Sequence, residues 1–296
     1  MKIIHRICLL MLFVVTSAGC ALTSTQREAA SRFAQASSDI GDFSSNEFSH
    51  FRRATIDMNV TRIAIQRDAI ILDDKDNLNL DESLKPDAVI ERVKSAQALS
   101  SYGKLLLSLV NETQEAELKQ ASNNFVDSFK SVSKKNMTDS QLEGLGQLVQ
   151  AIGSIVVEAK KADAVKAIVP AAAKDVDKLC DLLIKDFSAI TLNVGQGFDA
   201  TISDLIGKAA LALKDTNTSY TDRLIASNGI KKAWEEREHL TNISNQAIET
   251  LKKLKAANSQ LKQALEDDSL SVADIKTVGQ EVNSLKTAVT ALSSDK

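Results

Sequence analysis

Two histidines beyond the N-terminal segment each follow a glutamate by three positions, in Glu47-Phe48-Ser49-His50 and Glu236-Arg237-Glu238-His239. A step of three puts both side chains on one face of a helix. Paired Glu-x-x-His motifs on facing helices, joined by one further glutamate from each of two others, are the ligand set of di-metal carboxylate bundles. The surrounding pattern argues against that use. If Leu240, Ala247, Leu251 and Leu254 define an inward stripe, His239 falls beside it on the solvent side. Around the first motif Phe51 and Met58 point inward, Glu47 lies near their stripe, and His50 points sideways. The sequence therefore predicts no metal site, with Glu47, His50, Glu236 and His239 the residues that would hold one.

Other candidates are weaker. Asp73, Asp74, Asp76, Asp81 and Glu82 form an acidic run. Counted as a calcium loop from Asp74, it places Leu78 at a ligand position and Lys85 where a closing glutamate belongs, so it reads as a solvated connection. Cys180 lies on an apolar stripe without a histidine nearby in sequence, the setting of a small buried hydrophobe rather than a reactive thiol. Trp234, beside a helix seam, is expected in the core. Phe33, Phe43, Phe48 and Phe51 are expected to fill one end of a bundle. The sequence has no Gly-rich phosphate loop, zinc-type Cys/His spacing or Gly-x-Ser-x-Gly element, and it calls for neither a catalytic residue nor a cofactor.

The elements that must position these residues are helical. The 296 residues include only 2 prolines and 11 glycines, while 44% are hydrophobic and 4% aromatic. A sandwich, barrel or doubly wound sheet of this length would need many more turn residues. With 36 basic and 39 acidic side chains, the formal net charge is −3, which gives no electrostatic case for nucleic acid.

The first twenty residues are an address. Lys2 and Arg6 precede the apolar run Ile7 to Val15, followed by Thr16, Ser17, Ala18, Gly19 and Cys20. The run is under half the length needed to cross a bilayer, so it reads as a secretory signal. Ser17-Ala18-Gly19-Cys20 resembles the lipobox of bacterial lipoproteins, with Ser17 where Leu is commonest. The resemblance covers residues 1–20 and implies diacylglycerol transfer to the Cys20 sulfur with cleavage before it. Ala21, in place of the Asp that retains enteric lipoproteins in the inner membrane, implies the outer membrane, here facing the periplasm. An ordinary signal peptide cleaved at the same point is the alternative. Cys8 is removed with the signal; acylation of Cys20 accounts for the otherwise odd pair Cys20 and Cys180 in an exported chain. Loss of Lys2 and Arg6 leaves a mature chain with an excess of five acidic side chains.

Beyond residue 20 the pattern predicts an all-α fold: an elongated antiparallel bundle of five to six long helices with coiled-coil-like seams, in one domain over 25–296 after a short tether at 20–24. Thr25 with Glu28, Thr138 with Gln141, Ser219 with Asp222, and Ser271 with Asp274 match capping-box spacing, and Pro86 suits a first helical turn. Breaks are expected at 73–85, 134–137, 214–218 and 266–270. Three-four spacing marks seams through Val89, Ala96, Leu99, Gly103 and Leu106; Val176, Cys180, Leu183 and Phe187; Ala247, Leu251, Leu254, Asn258, Leu261 and Leu265; and Ile275 to Leu292. The first of these slips phase before Leu118. Pro170 either kinks one helix or opens another.

These features point to a non-catalytic, lipid-anchored envelope protein acting as a helical tether, scaffold or adaptor. Its expected partners are the membrane, through the N-terminal lipid, and a protein or second copy met through the seams; Asn258 is a polar seam position suited to tuning that pairing. The alternatives are a membrane-acting, pore-forming-like helical protein, using the uncharged stretches 144–157 and 187–198, and a metal-binding helical-bundle oxidoreductase.

Overall fold

In the computed structural model, residues 22–66, 79–82, 84–111, 115–133, 158–192 and 198–266 are described. They form six helices: α1 (Ser24–Gln66), α2 (Pro86–Val110), α3 (Glu115–Ser133), α4 (Glu158–Leu192), α5 (Phe198–Lys214) and α6 (Tyr220–Glu266). Among the described residues there is no strand, and the fold is an all-helical bundle.

Several boundaries follow from local chemistry. The α1 cap is a reciprocal capping box two residues earlier than the spacing of Thr25 and Glu28 suggests. Thr23 Oγ1 accepts from the Gln26 amide at 3.1 Å, and Gln26 Oε1 accepts from the Thr23 amide at 3.0 Å. Glutamine serves here where glutamate was expected, and Gln26 Nε2 is left to donate to the Ala264 carbonyl at 2.8 Å. Pro86 opens α2, where its missing amide costs nothing. Ser219 Oγ caps α6 by accepting from the Asp222 amide at 3.2 Å. Where the spacing gave only a phase slip before Leu118 and no break was expected, α2 ends at Val110 and α3 starts at Glu115. Pro170 lies inside α4 and does not end it. The capping pairs at 138 and 271, the break at 134–137 and the seam beyond Ile275 lie outside the described residues.

The chain divides into two compact units. The first comprises Met1–Ser38, Ser100–Asp177 and Leu254–Gly279. Its core joins Phe33 to Tyr102 edge-on at 6.3 Å, Tyr102 to Phe125 at 5.7 Å, and Phe125 to Phe129 at 4.4 Å. Gly103 is a seam position because α1 lies against it: a Cβ there would clash with the Ala34 carbonyl oxygen and the Ser38 amide nitrogen. The polar seam residue Asn258 is fully buried, and its Nδ2 is used within the chain. Its Nδ2 donates to the Ala173 carbonyl at 2.8 Å and to Asp177 Oδ1 at 2.9 Å, which ties α6 to α4.

The second unit comprises Asp39–Leu99, Lys178–Lys253 and Gln280–Lys296. Phe48 stacks on Phe187 at 4.8 Å, and Phe51 meets Phe198 at 5.4 Å. Of the α1 phenylalanines, Phe33 packs within the first unit and Phe48 and Phe51 within the second. Buried hydroxyls in this part of α1 are satisfied locally: Ser44 and Thr55 donate to the carbonyls of Ile40 and Phe51, four residues back. In this unit α1 and α6 run antiparallel, with Glu47 opposite His239, His50 opposite Glu236, and Asp57 opposite Lys232.

Candidate functional site

The two Glu-x-x-His motifs meet. His50 Nε2 lies 2.9 Å from Glu236 Oε2, and His239 Nε2 lies 2.8 Å from Glu47 Oε2. Each imidazole of one helix therefore serves the carboxylate of the other. The two rings are tilted against each other with centroids 4.8 Å apart. The carboxylates are the deeper groups, each with 6% of its side chain exposed, against 27% for His50 and 15% for His239.

Three elements build this arrangement. On α1, Phe51 points into the core and lies 6.0 Å from the His50 ring and 6.3 Å from the His239 ring. From α5, Phe198 packs on Phe51 and closes the apolar wall behind the histidines. On α6, Arg237 turns away toward α5, where its Nε pairs with Asp199 Oδ1 at 3.3 Å and its NH2 donates to Ser203 Oγ at 2.8 Å. One to two turns along from His50, Asp57 accepts from Lys232 Nζ at 2.9 Å and holds the same helix pair in register.

The expectation that His239 faces solvent and His50 points sideways is corrected by these contacts. Both histidines reach the facing helix, and Glu47 and Glu236 are buried beneath them. Burying an ionised carboxylate is costly unless a charged or hydrogen-bonding partner accompanies it, and each glutamate here has one from across the interface. Among the described residues, no group of three or more His, Cys, Asp or Glu side chains could hold a metal ion. The donors are instead paired off against one another.

A second polar cluster fastens the segment before α2. Arg52 NH2 donates to Asp81 Oδ2 at 3.0 Å, and Asn59 Nδ2 donates to the Leu80 carbonyl at 2.7 Å. Arg62 NH1 donates to Asp204 Oδ2 at 2.6 Å, with Glu82 Oε1 3.8 Å from its NH2. Thr201 Oγ1 donates to Glu82 Oε2 at 2.8 Å. Glu82 has a φ of 48°, a left-handed conformation that costs a non-glycine residue energy, and these contacts hold it there. The acidic residues 81 and 82 thus anchor to arginines; Asp73, Asp74 and Asp76 lie outside the described residues.

Cys180 and Phe187 are fully buried, as core positions. Trp234 is not: it is 57% exposed, with the Arg237 guanidinium 5.6 Å from its ring centroid. Large apolar side chains are also exposed at Leu211, Tyr220 and Leu224. Cys20 lies outside the described residues. No described helix is long and apolar enough to cross a membrane. The chain matches no protein-family model, no curated protein and no solved structure, so the reading of the Glu–His quartet comes from its own geometry.

Proposed function

We propose that this protein is a lipid-anchored component of a bacterial envelope, held in the outer membrane by an acylated Cys20 and facing the periplasm. Its helical body serves as a tether, scaffold or adaptor for a protein partner and carries out no catalysis. The observation that carries this reading is how closely the first helix follows the lipobox-like cysteine. Leu22 is already buried, Thr23 caps, and α1 begins at Ser24. At about 3.5 Å per residue, the chain from Cys20 to Ser24 spans at most about 14 Å. A lipid at Cys20 would therefore act on the folded body directly and not through a long linker. Helices of 43, 35 and 47 residues support the mechanical part of the proposal. At 1.5 Å per residue the longest is about 70 Å from end to end. Such a helix presents far more lateral surface than a compact enzyme scaffold needs, and exposed Tyr220, Leu224 and Trp234 all lie on it.

Fractionation of cells expressing the wild type and Cys20→Ser tests the anchor. The wild type is expected with the membranes and the variant in the soluble fraction; equal membrane association of both would overturn the proposal. Crosslinking in intact cells tests the adaptor role, which fails if neither a partner nor a second copy is recovered. The membrane-acting alternative assigns the stretch from Phe187 onward to bilayer insertion. Burial of Phe187 against Phe48 supports a packed core at that position instead.

A further inference from the structure

We propose that the outer face of α6, from Tyr220 to Glu238, is the surface through which two copies of this chain pair, helix against antiparallel helix. Among the described residues, every exposed large hydrophobic side chain belongs to the second unit and none to the first. Three of them, Tyr220, Leu224 and Trp234, lie on α6, and Tyr220 is 82% exposed.

These three side chains are in phase. Tyr220, Leu224, Ser227, Lys231, Trp234 and Glu238 follow alternating steps of four and three, and every one of them is exposed. On the opposite side of the same helix Ala226, Gly229, Ala233, Glu236 and Leu240 repeat the spacing and are buried. The helix thus carries two seams back to back, the inner one used within the chain and the outer one facing water. With 3.6 residues per turn, the apolar side chains of the outer seam span an arc of only about 80°. A lipid surface calls for a broader apolar face. A narrow stripe in three-four steps, with Ser227 and Lys231 inside it, fits another helix.

Charge then chooses the orientation and the partner. Two copies in parallel would set Lys231 on Lys231 and Glu238 on Glu238, like charges within the seam. Antiparallel pairing about a two-fold axis, with Leu224 of each copy against Trp234 of the other, removes both clashes. In that register Lys231 meets the Ser227 hydroxyl of the second copy, and Glu238 meets its Tyr220 hydroxyl. Each polar seam group gains a hydrogen-bonding counterpart, while the two Leu–Trp pairs supply the apolar contact. Beside the seam Arg223 comes near Arg237, whose charge is already met by Asp199 at 3.3 Å. This rests on the adaptor reading only in naming its partner. Acylation of Cys20 plays no part, so membrane fractionation and self-association can fail separately.

Sedimentation equilibrium of the purified full-length chain is the primary test. A helix pair about 27 Å long is a small interface, so we expect a reversible dimer with a dissociation constant on the order of 10 μM. Trp234 is the only tryptophan in the chain, so its fluorescence should shift to the blue as the dimer forms. Leu224→Glu and Trp234→Glu change exposed positions and should keep the helical circular-dichroism signal while weakening association at least roughly tenfold. Lys231→Leu extends the apolar seam and should tighten it. Leu224→Cys copies mixed with Trp234→Cys copies should crosslink to one another in preference to themselves, the reverse of a parallel pair. A chain still monomeric at roughly 200 μM, undiminished association in the folded glutamate variants, or the parallel crosslinking pattern overturns the proposal. A blue shift of Trp234 on phosphatidylglycerol vesicles, in a chain that stays monomeric, would make lipid the occupant and overturns it as well.

Discussion

Tyr102 heads the fully buried side chains by volume, and its hydroxyl has no hydrogen-bond partner. Burial pushes its ionisation well above the usual tyrosine range. Because the folded form holds the proton more tightly than the unfolded chain, this residue's contribution is complete below about pH 10 and is lost as pH rises beyond that. Tyr102→Phe deletes an unsatisfied polar atom while keeping the ring against Phe33 and Phe125. It is expected to leave the melting temperature unchanged or raised at pH 7, and to widen its advantage over the wild type in melts above pH 10. At the quartet, His239→Ala strands a buried Glu47 carboxylate and should cost about 3 kcal/mol in urea denaturation. Glu47→Ala should cost less, because the imidazole it leaves behind is partly exposed and can turn to water, whereas the carboxylate is buried. The four residues were visible in the sequence through their spacing; that they meet was not. The stripe Leu240, Ala247, Leu251 and Leu254 is buried as read, but a stripe does not give the width of the covered face, and His239 beside it reaches Glu47 on α1. The arrival of α5, which brings Phe198 against Phe51 and Asp199 to Arg237, widens that buried face further.

Among elements, the contact of α1 with α2 in the first unit depends on a missing side chain. Gly103→Ala would drive a methyl group into the backbone of α1 at Ala34 and Ser38. Neither backbone atom can swing aside, so the helices must part, at an expected cost of about 1–3 kcal/mol in denaturant melts. Gly207→Ala in α5 is the control. Nothing lies within 4 Å of its Cβ position, and the gain in helix propensity, up to about 1 kcal/mol, should stabilise the protein. Asn258→Ala removes the two bonds that tie α6 to α4 and should destabilise by about 2 kcal/mol, read as a shifted denaturation midpoint at unchanged slope. Seams and several helix ends could be read in advance because three-four spacing, Pro86 and the Ser219 cap are local signals; the ends of α2 at Val110 and of α4 at Leu192 were not foreseen. The cap of α1 was displaced because Thr23 with Gln26 and Thr25 with Glu28 offer the same chemistry two residues apart. Trp234 was misjudged because seam proximity does not say which flank a neighbouring helix covers; its ring is more than half exposed, with Arg237 beside it.

For the molecule as a whole, scarce proline and glycine were enough to exclude sheets, and circular dichroism is expected to show a helical spectrum without strand content. The pairing of distant segments was beyond the reach of composition, since no local signal tells Gln26 that its partner is Ala264. That bond joins positions 238 residues apart, and the two histidine pairs join positions 186 and 192 apart. Contacts of such separation carry a large loop-closure cost and form late. The glutamine that caps the first helix therefore waits for its second partner until nearly the whole polypeptide has left the ribosome. Phe33, Phe48 and Phe51 meet their ring partners Tyr102, Phe187 and Phe198 on earlier helices, so among these contacts the ones between α1 and α6 are the last to close.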